Sequence, residues 1–193
     1  LVGAVLVDSD MGFVAAAAHE SYGGPHAEAA LLAHIPASDP RWRGAHLYLT
    51  LEPCMPMAGK QTPPCAAALA NLQLASVRIG ARDPHPQVDG QGEALLRAQG
   101  HSVHAWESAA PCHLLTERFA VSALKSRPFV AAKIATSLDG VMAERGDQRR
   151  WITGKRARAY SHWLRQLYDA VVIGADTLIH DNSELTVRAA SVH

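Results

Sequence analysis

The sequence has few cysteines, no excess of either charge and no long apolar run, and each shortage excludes a class of protein. Its 193 residues carry 18 Lys plus Arg against 18 Asp plus Glu, so the formal net charge is zero. This balance argues against a nucleic-acid partner or a charged membrane surface. No apolar run approaches the length of a membrane span, and no targeting segment is visible. Three cysteines, an odd number, give no disulfide framework.

The order of the apolar segments predicts an α/β protein, because strand-like runs alternate with helical ones. An apolar content of 48% is sufficient for a buried core. The predicted strands cover residues 3–7, 13–18, 45–50, 76–80, 102–105, 129–135 and 170–174, and the predicted helices cover residues 26–34, 65–71, 92–99, 111–124 and 155–166. Ser126-Arg127-Pro128 predicts a boundary between two modules. We expect both ends to be truncated, since Leu1 lies inside the first apolar run.

Four residues predict a zinc site with a catalytic carboxylate. His26 and Glu28 open the first predicted helix, Cys54 follows the third strand, and Cys65 opens the second helix. This is the ligand order of the zinc base deaminases. One imidazole and two thiolates suit a zinc ion with an open fourth position, where the pKa of a bound water falls to about 7. Glu28 is predicted to move protons without binding the metal.

Each piece alone has an ordinary structural explanation. A His-Ala-Glu sequence is common in helices, and a lone buried cysteine usually acts as a small apolar side chain. Three such pieces in order, each at a strand-to-helix transition, favour a metal site instead. Cys112 lacks comparable partners, so we predict a structural role for it. Cys54 and Cys65 have ten residues between them, whereas many zinc deaminases have Cys-x-x-Cys.

The long cysteine spacing indicates a particular family. The segments that carry the resemblance are 50–54 (T-L-E-P-C), 62–65 (T-P-P-C), 82–92 (R-D-P-H-P-Q-V-D-G-Q-G), 127–130 (R-P-F-V), 137–140 (S-L-D-G), 151–153 (W-I-T), 174–177 (G-A-D-T) and 185–188 (L-T-V-R). In combination they resemble the bifunctional deaminase–reductase of riboflavin biosynthesis. The resemblance covers nearly the whole chain.

The resemblance implies a fold, a reaction and a set of contacts. The fold is a three-layer cytidine-deaminase-like domain over residues 1–106, a connecting helix and linker over 107–127, and an incomplete dihydrofolate-reductase-like α/β domain over 128–193. The reaction is zinc-dependent deamination of 2,5-diamino-6-(5-phosphoribosylamino)pyrimidin-4(3H)-one to 5-amino-6-(5-phosphoribosylamino)uracil, followed by NADPH-dependent reduction of the ribosyl group. A homo-oligomer and a cytoplasmic location are also implied.

Matching positions assign the reductase contacts by the same resemblance. Four residues are expected at the NADPH cofactor: Ala135, Trp151, Thr177 and Asp181. Three residues are expected at the phosphorylated substrate: Arg165, Leu185 and Arg188. Arginine suits a phosphate because its fork donates two hydrogen bonds.

Several positions depart from the family pattern. Met55 and Pro56 stand where the family has Ser-His, Gln61 interrupts its Gly-Lys-Thr run, and Arg149 and Ser183 replace a serine and a proline. These departures leave two alternatives open: a deaminase of another base, nucleoside or tRNA, and an inactive zinc-stabilised remnant. We do not expect reductase activity from this chain alone, because half a parallel sheet would leave unpaired edges.

Overall fold

The structure is a computed structural model that describes residues 2–21, 23–56, 63–105, 110–142 and 151–188. The chain divides into two compact units, Leu1–Phe129 and Val130–His193. The finer domain bounds given above stay predictions. In the described part of the chain, every helix is too short or too polar to span a bilayer.

A five-stranded sheet organises the first unit. Its strands are β1 (Gly3–Val7), β2 (Phe13–Ala18), β3 (His46–Leu49), β4 (Ser76–Ile79) and β5 (Val103–Ala105), in the spatial order β2-β1-β3-β4-β5. β1 runs antiparallel to β2 and β3, whereas β3, β4 and β5 run parallel to one another. Positions along β1 and β3 alternate between half-buried and buried, so one face of each strand enters the core.

Three helices pack on that inner face of the sheet: α1 (Ala27–His34), α2 (Cys65–Ala70) and α3 (Gln91–Ala98). Their alanine and leucine content gives a high helix propensity, and small alanine side chains let the helices approach the sheet closely. The core joins alternate strand residues to the helices; among its members are Ala4, Leu6, Leu47, Leu49, Val77, Leu31, Leu69 and Leu96. Burying each leucine contributes about 1.5–3 kcal/mol to stability.

A short 3-10 helix, Pro40–Trp42, precedes β3 and was not predicted. Trp42 is 2% exposed, and its indole Nε1–H donates to the carbonyl oxygens of Ile35, at 3.2 Å, and Pro36, at 3.1 Å. Asp39 caps this helix by accepting a 2.9 Å hydrogen bond from the backbone N–H of Arg41.

Helix α4 (Ala110–Lys125) belongs to the first unit and packs on it through its first turns. Cys112 and Thr116 are its buried residues, and Cys112 packs with Leu51 and Ala81. Burial raises the pKa of the Cys112 thiol. These contacts agree with the structural role predicted for Cys112.

The second unit contains helices α5 (Lys155–Arg165) and α6 (Ala175–Asp181). The predicted helix over 155–166 is confirmed, whereas α6 was not predicted. The strands predicted over 129–135 and 170–174 are wrong, because neither segment is paired within the part of this unit that the structure describes. A strand needs a ladder of hydrogen bonds to a neighbour, and apolar side chains alone do not supply one. Val172, in the middle of the second segment, is 93% exposed.

Candidate metal centre

Three separate elements bring the predicted metal ligands together. His26 is the N-cap of α1, Cys54 lies in the loop after β3, and Cys65 is the first residue of α2. Their ligand atoms all lie within 4.8 Å of one another. Both cysteines are buried and His26 is half-buried. Because each ligand stands at or near the end of a regular element, the core of the first unit holds the site in place.

The distances between these atoms fit a tetrahedral ion. His26 Nδ1 lies 3.5 Å from Cys54 Sγ and 3.6 Å from Cys65 Sγ. Zinc bonds of about 2.0 Å to nitrogen and about 2.3 Å to sulfur, at a tetrahedral angle, place the two ligand atoms about 3.5 Å apart. Two thiolates also balance the double charge of the ion. The donor set and its spacing therefore fit zinc, with a fourth position left for water or substrate.

Neighbouring groups orient the ligands. The backbone N–H of Cys65 donates to Cys54 Sγ at 3.4 Å. The His19 ring lies edge-on to the His26 ring, with their centroids 5.6 Å apart. His19 Nδ1 donates to the carbonyl oxygen of Pro25, at 2.8 Å, and so braces the residue that precedes His26. Contacts of this kind fix ligand orientation and tune the affinity of a metal site.

Glu28 lies in the first turn of α1, two residues after His26, and is 3% exposed. Burying a carboxylate is costly, so a buried one next to a set of metal ligands is a candidate for a functional group. Its position near the start of the same helix is the one that the sequence predicted. Its role as a proton shuttle stays a prediction.

Glu52 is a second buried carboxylate near the site, and it is not among the predicted site residues. It is 3% exposed and accepts hydrogen bonds from three backbone N–H groups, those of Asp83, Gly90 and Glu93. The one available signal was a charged residue between apolar Leu51 and the Pro-Cys pair. Its partners lie 31 to 41 residues away along the chain, beyond the reach of a local pattern.

Comparison with known proteins gives a match for each module. Residues 1–81 match the cytidine and deoxycytidylate deaminase zinc-binding region, and residues 128–193 match the RibD C-terminal domain. Riboflavin biosynthesis protein RibD of Synechocystis sp. is 38% identical over 186 residues, which are 96% of this chain and 49% of that protein. RibD of Aquifex aeolicus is 36% identical over 187 residues, or 97% of this chain and 51% of that protein.

The chain is a homologue of the RibD proteins over nearly its whole length. It spans about half the length of the curated relatives it matches.

Solved RibD structures share its fold. The deaminase/reductase of Thermotoga maritima matches with a TM-score of 0.82 and 40% identity, over 97% of this chain and 52% of that one. Acinetobacter baumannii RibD, form 1, matches with a TM-score of 0.81 and 35% identity, over 97% and 51%. The predicted fold class, a cytidine-deaminase-like domain followed by a dihydrofolate-reductase-like α/β module, is confirmed. All three predicted zinc ligands lie within the matched zinc-binding region.

The second unit, which matches the RibD C-terminal domain, contains an open cavity of about 480 Å³. Six of the seven predicted reductase contacts line it: Ala135, Trp151, Arg165, Asp181, Leu185 and Arg188. Thr177 lies in α6 and is not among the lining residues. Lys133 and Arg158 bring the lysine and arginine side chains on its wall to four, against the two carboxylates of Asp181 and Glu184. This excess of positive charge suits an anionic group.

The chain around Leu185 is held by side chains from α5. Arg165 Nη1 donates to the carbonyl oxygen of Thr186 at 2.8 Å, and His162 Nδ1 lies 3.1 Å from the same oxygen. Leu185 itself has φ of +56°, a left-handed conformation that side chains larger than glycine rarely adopt. Arg165, predicted to bind substrate phosphate, thus already has a backbone partner, and Arg188 forms an ion pair with Glu184.

Proposed function

We propose that the first unit catalyses the zinc-dependent hydrolytic deamination of a pyrimidine in riboflavin biosynthesis. The observation that carries this proposal is the spacing of His26 Nδ1 from the two cysteine sulfurs, 3.5 and 3.6 Å, which fits one tetrahedral zinc ion. Buried Glu28, on the same helix as His26, supplies the acid–base group that such a reaction needs.

In the proposed reaction, three residues bind the metal and a fourth transfers protons. His26, Cys54 and Cys65 would hold zinc, which lowers the pKa of a water in its open position to about 7. Glu28 takes a proton from water and delivers it to the leaving amine. The C–N bond of the amino group breaks and a C–O bond forms, so one water is consumed and one ammonia released. The low exposure of Glu28 keeps bulk water away from this transfer.

The substrate we propose is 2,5-diamino-6-(5-phosphoribosylamino)pyrimidin-4(3H)-one. The support is the similarity to the Thermotoga maritima protein, a diaminohydroxyphosphoribosylaminopyrimidine deaminase and 5-amino-6-(5-phosphoribosylamino)uracil reductase. A deaminase of another base or nucleoside is the second candidate, because Met55 and Pro56 replace the family's Ser-His directly after Cys54. The other altered positions of this loop, together with Arg149, lie outside the described residues.

The second unit is proposed to supply part of the reductase site. NADPH, the cofactor that a RibD reductase domain implies, would supply a hydride. The cations on the cavity wall, among them Lys133 and Arg158, would face its phosphates, and Trp151 would flank it. Arg158 stacks over the Trp151 ring at 4.8 Å from the centroid, which holds that ring in place. Substrate contacts by Arg165, Leu185 and Arg188 belong to the same proposal.

The cellular setting follows from the proposed reaction. We propose a cytoplasmic enzyme with a small-molecule substrate, without a nucleic-acid or membrane partner. The zero net charge of the sequence supports this choice, since nucleic-acid binders carry excess positive charge. Assembly into a homo-oligomer is part of the proposal and rests on the family resemblance.

Two measurements on the purified chain test the proposed function. Metal analysis should give about one zinc per chain. Ammonia release should be faster from the phosphoribosyl pyrimidine than from cytidine or guanine. Faster release from cytidine or guanine would support the second candidate. A folded, zinc-loaded protein that is inert toward every pyrimidine would overturn the enzymatic assignment and leave a zinc-stabilised remnant.

A further inference from the structure

Glu52 joins the loop that carries Cys54 to a distant part of the first unit. It lies in the loop after β3, between Leu51 and Pro53, and Cys54 is the next residue but one. Its Oε2 accepts hydrogen bonds from the backbone N–H of Asp83, at 3.1 Å, and of Gly90, at 3.0 Å. A buried carboxylate that accepts several backbone N–H groups holds its own loop firmly to the segment that donates them. The reason is that charge-assisted hydrogen bonds are about twice as strong as neutral ones.

The same carboxylate caps helix α3. The N-cap residue of α3 is Gly90, in a left-handed conformation with φ of +76°, and it has no side chain to cap the helix. Glu52 Oε1 instead accepts the backbone N–H of Glu93, at 3.1 Å, which is the third residue of the helix. An N-cap side chain normally fills this position. A negative group here is further favoured by the helix dipole.

Pro53 is in close contact with the same helix. A Cβ atom on Gly92 would lie 2.2 Å from the Pro53 carbonyl oxygen and 3.2 Å from Glu52 Cγ. Only glycine therefore allows α3 to approach the loop so closely. Residues 52 and 53 are both fixed against α3, and the next residue is Cys54, a proposed zinc ligand.

We propose that Glu52 is a positioning residue of the metal centre, which holds the Cys54 loop on the start of α3 and so fixes the Cys54 sulfur. This inference rests on the proposed zinc function. It gives a physical reason why the T-L-E-P-C segment and the later V-x-G-x-G segment occur together, since the carboxylate of one binds the backbone of the other.

The test is the zinc affinity of a Glu52→Gln variant of the full chain, measured by competition with a chelator. Glutamine keeps the size of the side chain, but it replaces one accepting oxygen by an NH₂ group. That NH₂ group would face a backbone N–H donor and could not accept its hydrogen bond. We expect zinc affinity to fall by about tenfold or more, as for other residues that orient metal ligands. Cobalt substitution should show a shifted thiolate-to-metal charge-transfer band, because the Cys54 sulfur moves.

The matched control is Glu93→Gln. It removes a carboxylate from the same helix start, where Glu93 pairs with Arg82 and Arg97, but keeps the backbone N–H that Glu52 accepts. Zinc affinity of this control should equal that of the parent chain. Equal losses in both variants would overturn the inference, as would a Glu52→Gln protein that is less stable but binds zinc and cobalt normally.

Two further results keep the test decisive. Should Glu52→Gln fail to fold, Glu52→Asp takes its place, because it keeps the charge but shortens the reach to the three donors; a folded Asp variant with parental affinity would contradict the inference. Failure of the parent chain itself to bind zinc would instead overturn the proposed function, so the two outcomes are distinguishable.

Discussion

Glu28 is the single side chain on which the proposed proton transfers depend. Glu28→Gln removes the acid–base group but none of the three metal ligands. We expect the variant to keep about one zinc per chain and to lose ammonia release by at least about 100-fold. Zinc content and ammonia production, measured on the same preparation, check this. Glu20→Gln, at an exposed position between β2 and α1, is the control and should be fully active. Normal turnover by Glu28→Gln would show that another group moves the proton.

Asp39 is the residue whose titration the structure predicts most directly. Hydrogen bonds from the Arg41 guanidinium, then from the Arg41 backbone N–H, lower the pKa of Asp39 to about 2. Its folded pKa is thus below the unfolded value, so this pair favours the folded state above about pH 4 and loses that effect as the pH falls toward 2. An Arg41→Gln variant should raise the pKa only part of the way, because the backbone donor remains. Carboxyl NMR titration measures both values, and an unchanged pKa in the variant would contradict the assignment.

Single residues differ in how far the sequence alone reveals them. His26, Cys54 and Cys65 were predictable because zinc chemistry restricts the donor types and each donor stands beside a recognisable element boundary. Glu52 was not, since its role depends on donors brought near only by the complete fold. The seven reductase contacts came from family resemblance, and the structure places six of them around one cavity.

At the scale of elements, the close approach of Cys112 in α4 to Gly80, the residue after β4, makes a steric prediction. A Cβ atom on Gly80 would lie 2.4 Å from Cys112 Sγ and 3.1 Å from the Thr50 carbonyl oxygen. Gly80→Ala should therefore destabilise the first unit by about 1–3 kcal/mol, as overpacking does. Adding Cys112→Ala should relieve part of that cost, because the sulfur is gone. Denaturant unfolding of the parent chain, the two single variants and the double variant measures these free energies as a double-mutant cycle.

Gly3→Ala is the matched control for this cycle. An added Cβ there would meet nothing closer than 3.8 Å, so the change should be nearly neutral. Strictly additive costs for Gly80→Ala and Cys112→Ala would show that the two residues do not interact as described.

Zinc should link α1, the loop after β3, and α2, because one ligand comes from each. Chelation is expected to lower the midpoint of unfolding, since a ligand that binds only the folded state stabilises it by about 2.7 kcal/mol at 100 times its dissociation constant. Thermal unfolding with and without a chelator, and after zinc is restored, measures the effect. A Cys65→Ser chain should respond much less to the chelator. An equal response would mean that the metal binds elsewhere.

The elements of the first unit were predictable, and those of the second only in part. Runs such as Gly3–Val7 alternate in burial, and the ladder that they need is completed within the same unit. Residues 170–174 have the same apolar character, but strand formation depends on a paired neighbour that their own sequence does not encode. The short helix Pro40–Trp42 was missed because three residues are too few to establish a period.

At the scale of the whole molecule, the two units should differ in protection from hydrogen exchange. The amides of β1, β3 and β4 donate to neighbouring strands beneath three helices, so they should exchange slowly. The amides of residues 129–135 and 170–174, which lie outside any sheet ladder in the structure, should exchange within the shortest labelling times. Exchange measured by mass spectrometry on the full chain tests this. Strong protection of residues 170–174 would indicate a paired strand there.

Among the tryptophans that the structure describes, Trp42 differs from the two in the second unit by its burial. Its indole is 2% exposed, whereas Trp151 and Trp163 of the second unit are 58% and 39% exposed. An aqueous quencher such as iodide should therefore quench the fluorescence of Trp151 and Trp163 first. A blue-shifted component from Trp42 should remain. That component would then report the melting of the metal-binding half alone, without any label or tag.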